Sequence, residues 1–259
     1  MIYDIKDIIL LDANGDRYFK STADLFNTII AYKNQYIHTD NDGDYFIEVI
    51  GNTIYIYFEE SDTWCDWVSN FDFIVEIVKT NIVLPGKSYK DSSNTWHTHR
   101  GFRRVWKSMK DDIETTVKEI IEERLKLHNK YRAQPVIENI VCSGYSHGAA
   151  LCGMCVEDME YLFREQYNIN VYGYGFGCPR FTWGKLPKEV KDRFRNFYVI
   201  RNGKDLVTHV PPKIFGYGHG TDHIISIKPS KKYNCIEAHM PKSYSNELKN
   251  IYLNDYNEV

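Results

Sequence analysis

The sequence lacks an excess of positive charge: 32 Lys and Arg stand against 35 Asp and Glu, a formal net charge of -3 over 259 residues. Without a basic stripe to neutralise phosphates, nucleic-acid binding is not expected, and no polybasic segment faces an anionic membrane. No uninterrupted apolar run approaches the ~20 residues needed to span a bilayer, so no transmembrane segment is expected. The opening residues, Met-Ile-Tyr-Asp-Ile-Lys-Asp, lack the basic region and apolar stretch of a secretory leader. Neither a Cys2His2 pattern nor His-Glu-x-x-His spacing occurs, so His97, His99, His209, His219, Asp222 and His223 are not expected to hold a metal. Asp40 to Asp44 lacks the glutamate and spacing of an EF-hand and reads as a solvated turn. No repeat, low-complexity tract or linker divides the chain, and one α/β domain over residues 1–259 is expected.

Tyrosine is plentiful at 20, which suits a half-polar cleft or a surface. Of the six cysteines (Cys65, Cys142, Cys152, Cys155, Cys178, Cys235), three fall at apolar positions of one strand and helix, where a reduced thiol behaves as a small hydrophobe. Cys152 and Cys155 sit one helical turn apart on that stripe and read as packing rather than as a redox pair. Reduced thiols and the missing leader together predict a cytoplasmic location.

Periodicity orders the chain. Residues 1 to 20 alternate apolar and acidic side chains around Asn14-Gly15-Asp16, a hairpin signal. Ser21 or Thr22 caps a helix from Ala23 to about Lys33. Tyr45 to Ile50 and Thr53 to Phe58 are strands joined at Gly51-Asn52. Phe71 to Lys79 reads as a further strand, and Gly86 to Asn94 as a polar loop. Lys107 to Tyr131 is the longest helical signal, with Ile113, Val117, Ile120, Ile121 and Leu125 as its stripe. Ile169 to Phe176, Phe197 to Arg201 and Ile224 to Ile227 are strands, and Ser243 to Tyr252 is a closing helix. Strands alternating with helices imply a mostly parallel sheet with an antiparallel hairpin at its start.

The stretch from Val141 to Phe163 carries chemistry. A short apolar run (Ile140, Val141, Cys142) stops at Gly144-Tyr-Ser146-His-Gly148, and a helical pattern follows at once. Cys152, Cys155, Val156, Met159, Leu162 and Phe163 share one helix face. Strand, sharp turn with serine at its apex, then helix is what a nucleophile elbow requires, and Gly144, Gly148 and Ala149 keep the neighbours small. A serine nucleophile needs a base, an acid to orient that base, and donors for the oxyanion. Asp205 follows the strand ending at Arg201 and lies downstream of Ser146, as the order Ser, Asp, His demands. Four histidines lie beyond it: His209, His219, His223 and His239.

From about Ile54 to Tyr244 the chain resembles the class 3 (fungal-type) lipases, members of the α/β-hydrolase superfamily. Asp66-Trp67 matches that family's Asp-Trp pair, and His99-Arg-Gly-Phe102 its His-x-Gly-Phe turn. Val141 to Leu151 is similar to its serine elbow, and Phe176-Gly-Cys-Pro-Arg180 to its Phe-Gly-x-Pro-Arg turn. Asp205 to Pro212 and Gly216-Tyr-Gly-His219 resemble its Asp-x-Val-x-x-x-Pro-Pro and Gly-Tyr-x-His segments.

The resemblance implies an α/β-hydrolase fold and a serine carboxylic-ester hydrolase, a lipase or esterase acting on lipid acyl esters, with no cofactor and transient contact with a lipid interface. Residue by residue it implies Ser146 as nucleophile, Asp205 as acid, His239 as base, and the Ser61 and His147 backbone N–H groups as oxyanion donors. Trp64, Trp67 and Val68 fall where the family has a lid, and read equally as core of a short helix. Two departures stand out. Glu59-Glu60 replaces the family's usual Arg-Gly, and Tyr145-Ser146-His147 its common His-Ser-Leu. Carboxylates turned toward a developing oxyanion would oppose it. The alternative function is therefore a lipase-like fold kept for binding or assembly.

Overall fold

The computed structural model describes residues 21–31, 35–39, 43–59, 74–79, 95–131 and 135–256, except for the side chains of 79 and 252–256. The expected hairpin in 1–20, the Ser61 and Trp64–Val68 segment and the 86–94 loop lie outside them.

The sheet grows outward from two strands whose residues are all buried, β3 (Thr53–Phe58) and β6 (Asn139–Tyr145). They pair in parallel, and β7 (Asn170–Phe176), β9 (Phe197–Asn202) and β11 (Ile224–Ile227) continue the parallel pairing on one side. On the other side, β2 (Asp44–Ile50) and the two-residue β1 (Ile37–His38) run antiparallel. The strand order is β1-β2-β3-β6-β7-β9-β11. The β2–β3 turn falls at Gly51-Asn52 as expected, with Gly51 at φ 60°, a conformation glycine adopts without steric cost.

Because strand side chains alternate, each strand feeds two cores. Ile54, Ile56 and Phe58 of β3 join Ile140 and Cys142 of β6 on one face. Helices α2 (Arg100–Tyr131) and α3 (His147–Tyr167) cover it. Tyr55, Tyr57, Val141, Tyr145, Tyr174 and Phe176 line the other face. There α1 (Thr22–Ala31) and α5 (Pro241–Tyr256) pack. Ser21 caps α1: its hydroxyl accepts the Asp24 N–H at 3.1 Å while its own N–H donates to the Asp24 carboxylate at 3.2 Å, a capping box.

Three differences from expectation have physical causes. Helix α2 starts at Arg100, seven residues before the expected Lys107, because His99 Nδ1 accepts the Gly101 N–H at 3.1 Å and satisfies an end of the helix. A second, antiparallel sheet runs in the order β10 (Tyr217–Gly218), β8 (Thr182–Trp183), β5 (Thr95–His99), β4 (Val75–Lys79); β4 falls within the strand expected at Phe71 to Lys79, but β8 and β10, two residues each, are too short to show periodicity. The third concerns α3, which is buried on nearly all sides, including its acidic residues Glu157, Asp158 and Glu160. Glu157 pairs with Arg193, at the end of the short helix α4 (Lys188–Arg193). Glu160 pairs with Arg195 at 2.6 Å, and Asp158 with Lys110 at 2.7 Å. Trp106 Nε1 also donates to Asp158 at 2.7 Å. Partners distant in sequence thus replace the solvent that a one-faced helix would have needed.

Candidate active site

The elbow is built by close approach. Gly144 and Gly148 face each other, and a Cβ on Gly144 would lie 2.2 Å from the Gly148 carbonyl oxygen. A Cβ on Gly148 would lie 2.3 Å from the Glu59 carbonyl oxygen. Only hydrogen fits at either place, so the start of α3 sits directly against the end of β3. The turn between them forces Ser146 to φ 55° and ψ -119°, where a side chain crowds its own backbone. Such a residue costs roughly 1–3 kcal/mol and persists because its surroundings over-determine it. Here Ser146 N–H donates to the Phe176 carbonyl at 2.9 Å, tying the apex to the neighbouring strand.

Around that apex the fold gathers residues from three distant places. His239 Nε2 lies 2.9 Å from Ser146 Oγ. The other ring nitrogen, Nδ1, lies 2.9 and 3.0 Å from the two carboxylate oxygens of Asp205. All three residues are buried: Ser146 is 1%, His239 2% and Asp205 0% exposed. Asp205 leaves β9 through Asn202-Gly203-Lys204, and His239 ends a short 3-10 turn just before α5. Gly177 packs against both, since a Cβ there would lie 2.9 Å from His239 Cε1 and 3.1 Å from Asp205 Oδ2.

Two tyrosines complete the shell: Tyr145, noted in the sequence as a departure from the family pattern but given no role, and Tyr244, given no role at all. Tyr244 donates its hydroxyl to Asp205 Oδ2 at 2.6 Å and accepts the Asn202 N–H at 3.0 Å. Burial and the Asp205 charge push its phenol pKa well up, so it stays a neutral donor. Val207 N–H gives Asp205 Oδ1 another hydrogen bond at 2.9 Å. Tyr145 donates to the main-chain carbonyl of His239, and its ring stacks on the imidazole, centroids 5.2 Å apart and planes 24° apart. The abundance of tyrosine was the only signal for Tyr244 and carries no positional information, whereas the departure from the family's histidine marked Tyr145 without saying what it touches.

The remaining expected residues divide. His147 opens α3 beside Ser146, and the first turn of a helix directs its N–H groups out of its end. Burial and neighbouring His99 lower the His147 pKa from 6.5 to about 4, so its ring is neutral. Ser61, Trp64, Trp67 and Val68 lie outside the described residues, as does Glu60. Glu59 is described, and its charge is felt on the α1 face, where burial and then Glu59 and Asp44 raise the Tyr36 phenol.

The other histidines occupy separate positions. His219 Nε2 sits 3.0 Å from the Cys178 carbonyl; burial and then Arg180 lower its pKa to about 3. His209 Nε2 lies 3.3 Å from an Arg201 nitrogen, and His223 stacks on Tyr198 at 5.3 Å. Among the described residues, no group of three or more His, Cys, Asp or Glu could hold a metal ion. None of the described helices is long and apolar enough to cross a membrane.

Sequence and structure comparisons agree with this architecture. A family model described as Lipase (class 3) matches residues 55–215. A secreted mono- and diacylglycerol lipase of Malassezia globosa is 30% identical over 126 residues, 48% of this chain and 36% of that protein. A secreted mono- and diacylglycerol lipase of Fusarium solani is 24% identical over 162 residues, 60% of this chain and 38% of that protein. The chain thus spans well under half the length of these curated relatives. The Rhizomucor miehei lipase, solved as a propeptide complex, superimposes with a TM-score of 0.56 at 17% identity, covering 88% of this chain and 75% of that one. That likeness shows the fold, the α/β-hydrolase fold expected from the motifs.

One expectation is overturned. Two of these relatives are described as secreted, against the cytoplasmic location inferred from the cysteines and the first residues. The thiols were a poor guide for a physical reason. Cys142, Cys152, Cys155 and Cys178 are free and fully buried, so packing alone accounts for them and they do not report a redox compartment. Cys235 is free and exposed.

Proposed function

The chain belongs to the class 3 lipase family, and from that premise we propose that it is a serine carboxylic-ester hydrolase acting on lipid acyl esters through Ser146, His239 and Asp205. The observation that carries this reading is the single imidazole bridging a strained serine and a buried carboxylate, with 2.9 Å on the serine side. His239 Nε2 takes the Ser146 proton as Oγ attacks the acyl carbon, and Asp205 stabilises the imidazolium that forms. The His147 N–H and Ser61 receive the oxyanion. His239 then returns the proton to the departing alcohol, leaving an acyl group on Ser146. Water attacks that ester by the same route in reverse and frees the acid.

The relatives' activity on mono- and diacylglycerols supports an acylglycerol as the substrate class, and their secretion supports an extracellular site of action. Leu206, Ile236 and Met240 are exposed next to Asp205 and His239 and suit transient contact with a lipid surface. On this reading Trp64, Trp67 and Val68 form either a lid over the acyl site or the core of a short helix, and residues 1–259 form one domain. No cofactor enters this scheme.

A fluorophosphonate probe should label the wild-type protein, and Ser146→Ala should abolish labelling and lower ester turnover by about 10⁴-fold or more. A chain-length series of p-nitrophenyl esters, run on both, gives acyl preference. A folded wild-type protein that neither labels nor turns over any ester sinks the reading and leaves a binding role for the fold.

A further inference from the structure

The site holds an aromatic side chain that the scheme above does not use. Tyr145 stands where the family commonly has histidine, is fully buried, and touches His239 twice. Its hydroxyl donates to the His239 main-chain carbonyl. Its ring lies nearly parallel to the imidazole, 5.2 Å away and inclined by 24°. It is held there from the far side: Phe26 meets it edge-on at 5.4 Å, and Tyr244 at 5.8 Å and 64°. Phe26 in turn stacks on Tyr244 at 5.6 Å and meets Phe176 at 5.1 Å. Three rings, from α1, β7 and α5, therefore fix the Tyr145 ring of β6 against His239.

We propose that Tyr145 is a positioning residue that also stabilises the imidazolium form of His239 through its π-face, an assignment that rests on the reading of His239 as the base. During acyl transfer His239 is neutral in the ground state and positively charged as Ser146 attacks. A flat aromatic face attracts a cation far more than a neutral ring, and it does so more strongly in a site without water. The interaction therefore grows as the transition state is approached, the condition for lowering a barrier rather than tightening ground-state binding. The hydroxyl does a separate job, anchoring the backbone that carries the imidazole. Other titratable groups also act on this ring. Asp205 lies on Nδ1 and Ser146 on Nε2; Tyr244, Cys178 and His209 act on it at one remove, through Asp205. They stay in place when residue 145 is changed.

The test separates ring charge distribution from ring shape. Tyr145→Phe removes the hydroxyl and keeps the face. Tyr145→pentafluorophenylalanine keeps nearly the same shape but reverses the ring quadrupole. Tyr145→Leu removes the ring. With a soluble p-nitrophenyl ester, Tyr145→Phe should keep the acid limb of the kcat/KM profile where the wild type has it. The fluorinated variant should lower kcat by about two- to fivefold relative to Tyr145→Phe. It should also move the acid limb about half a pH unit lower, with KM unchanged, because the protonated base has lost a stabilising partner. Tyr145→Leu should follow the fluorinated variant. If it does not fold, as judged by circular dichroism, the comparison of the two aromatic variants decides alone. Equal kcat and equal acid limbs in those two would overturn the inference. Fluorophosphonate labelling of the wild type, run alongside, isolates the premise: its failure removes the base itself, whereas labelling with superimposable profiles removes only the role of Tyr145.

Discussion

The two faces of the central sheet are packed with different materials. Beneath α2 and α3 the core is sulfur-rich, with Cys142, Cys152, Met154, Cys155 and Met159 set among isoleucines and among phenylalanine and tryptophan rings such as Phe102, Trp106 and Phe197. Beneath α1 and α5 it is aromatic and largely tyrosine: Phe26, Tyr36, Tyr55, Tyr57, Tyr145, Tyr174 and Tyr244. The first face permits close approach. Small residues and thiols let α3 settle onto the strands, with the Cys142 and Cys155 sulfurs 3.6 Å apart. On the second face hydroxyls are delivered to buried acceptors, with Tyr36 on the Ile29 carbonyl, Tyr57 on Glu48, Tyr145 on the His239 carbonyl and Tyr244 on Asp205. One face sets the height of Ser146; the other orients His239 and Asp205, proposed to serve it as base and acid.

If this division is right, the largest effect should come from spoiling close approach on the α3 face. Gly148→Ala would drive a methyl group into the main-chain carbonyls of Phe58 and Glu59, at 2.5 and 2.3 Å. Because backbone cannot rotate out of the way, a loss of about 3 kcal/mol is expected, at the upper end for overpacking, and urea unfolding measures it.

Titration should strain the two faces at opposite ends of the pH scale. His147, against Phe102 on the α2 face, has its pKa lowered in the folded state to about 4. The unfolded chain therefore binds the proton first, and stability present above the unfolded value near 6.5 drains away as pH falls toward 4. His219, lowered to about 3, acts in the same direction. Each should cost about 2 kcal/mol between pH 7 and pH 5, read from denaturant midpoints. The phenols of Tyr36, Tyr57 and Tyr244 are raised by burial. The folded state therefore keeps protons that the unfolded chain gives up, and stability should fall as pH climbs past about 10. A protein equally stable at pH 5 and pH 7 would contradict the first half.

The smallest change should be functional. Tyr244→Phe removes one donor from Asp205 and should reduce kcat/KM by about tenfold, worth ~1.4 kcal/mol for a hydrogen bond to a charged group. An unfolding free energy left unchanged would place its role in the site, whereas a drop of the same ~1.4 kcal/mol would place it in the core.

Which parts of this were legible in the sequence follows from distance along the chain. Strands β6, β7, β9 and β11 and helix α3 announced themselves because each carries its apolar pattern locally, within a few neighbouring residues. The elbow did so because Gly144, Ser146 and Gly148 are neighbours. Asp205 could be placed from the strand before it. His239 could not be separated from His209, His219 and His223 by local pattern, and the family motifs selected it; its contact with Ser146 spans 93 residues. The roles of Tyr145 and Tyr244 were not legible, although Tyr145 stood out as a departure from the family pattern, because what they touch is decided by tertiary packing. The buried acids of α3 were not legible because Arg193, Arg195 and Lys110 reach them from elsewhere in the chain. Strands β8 and β10, two residues each, are too short for any alternation to register.

The strand order β3-β6-β7-β9-β11 also describes a sequence of events. Each parallel strand lies beside the one that precedes it in this series, so the sheet can lengthen by adding the newest strand to an existing edge. From β6 onward this neighbour-by-neighbour growth follows chain order, which favours orderly folding during synthesis, whereas the first pairing, β3 with β6, must close the whole stretch from Phe58 to Asn139. The imidazole arrives last, beyond β11, at the opposite end of the process from the serine. Ester turnover would therefore report that folding has run to completion, and a partly folded chain, however compact, would be silent.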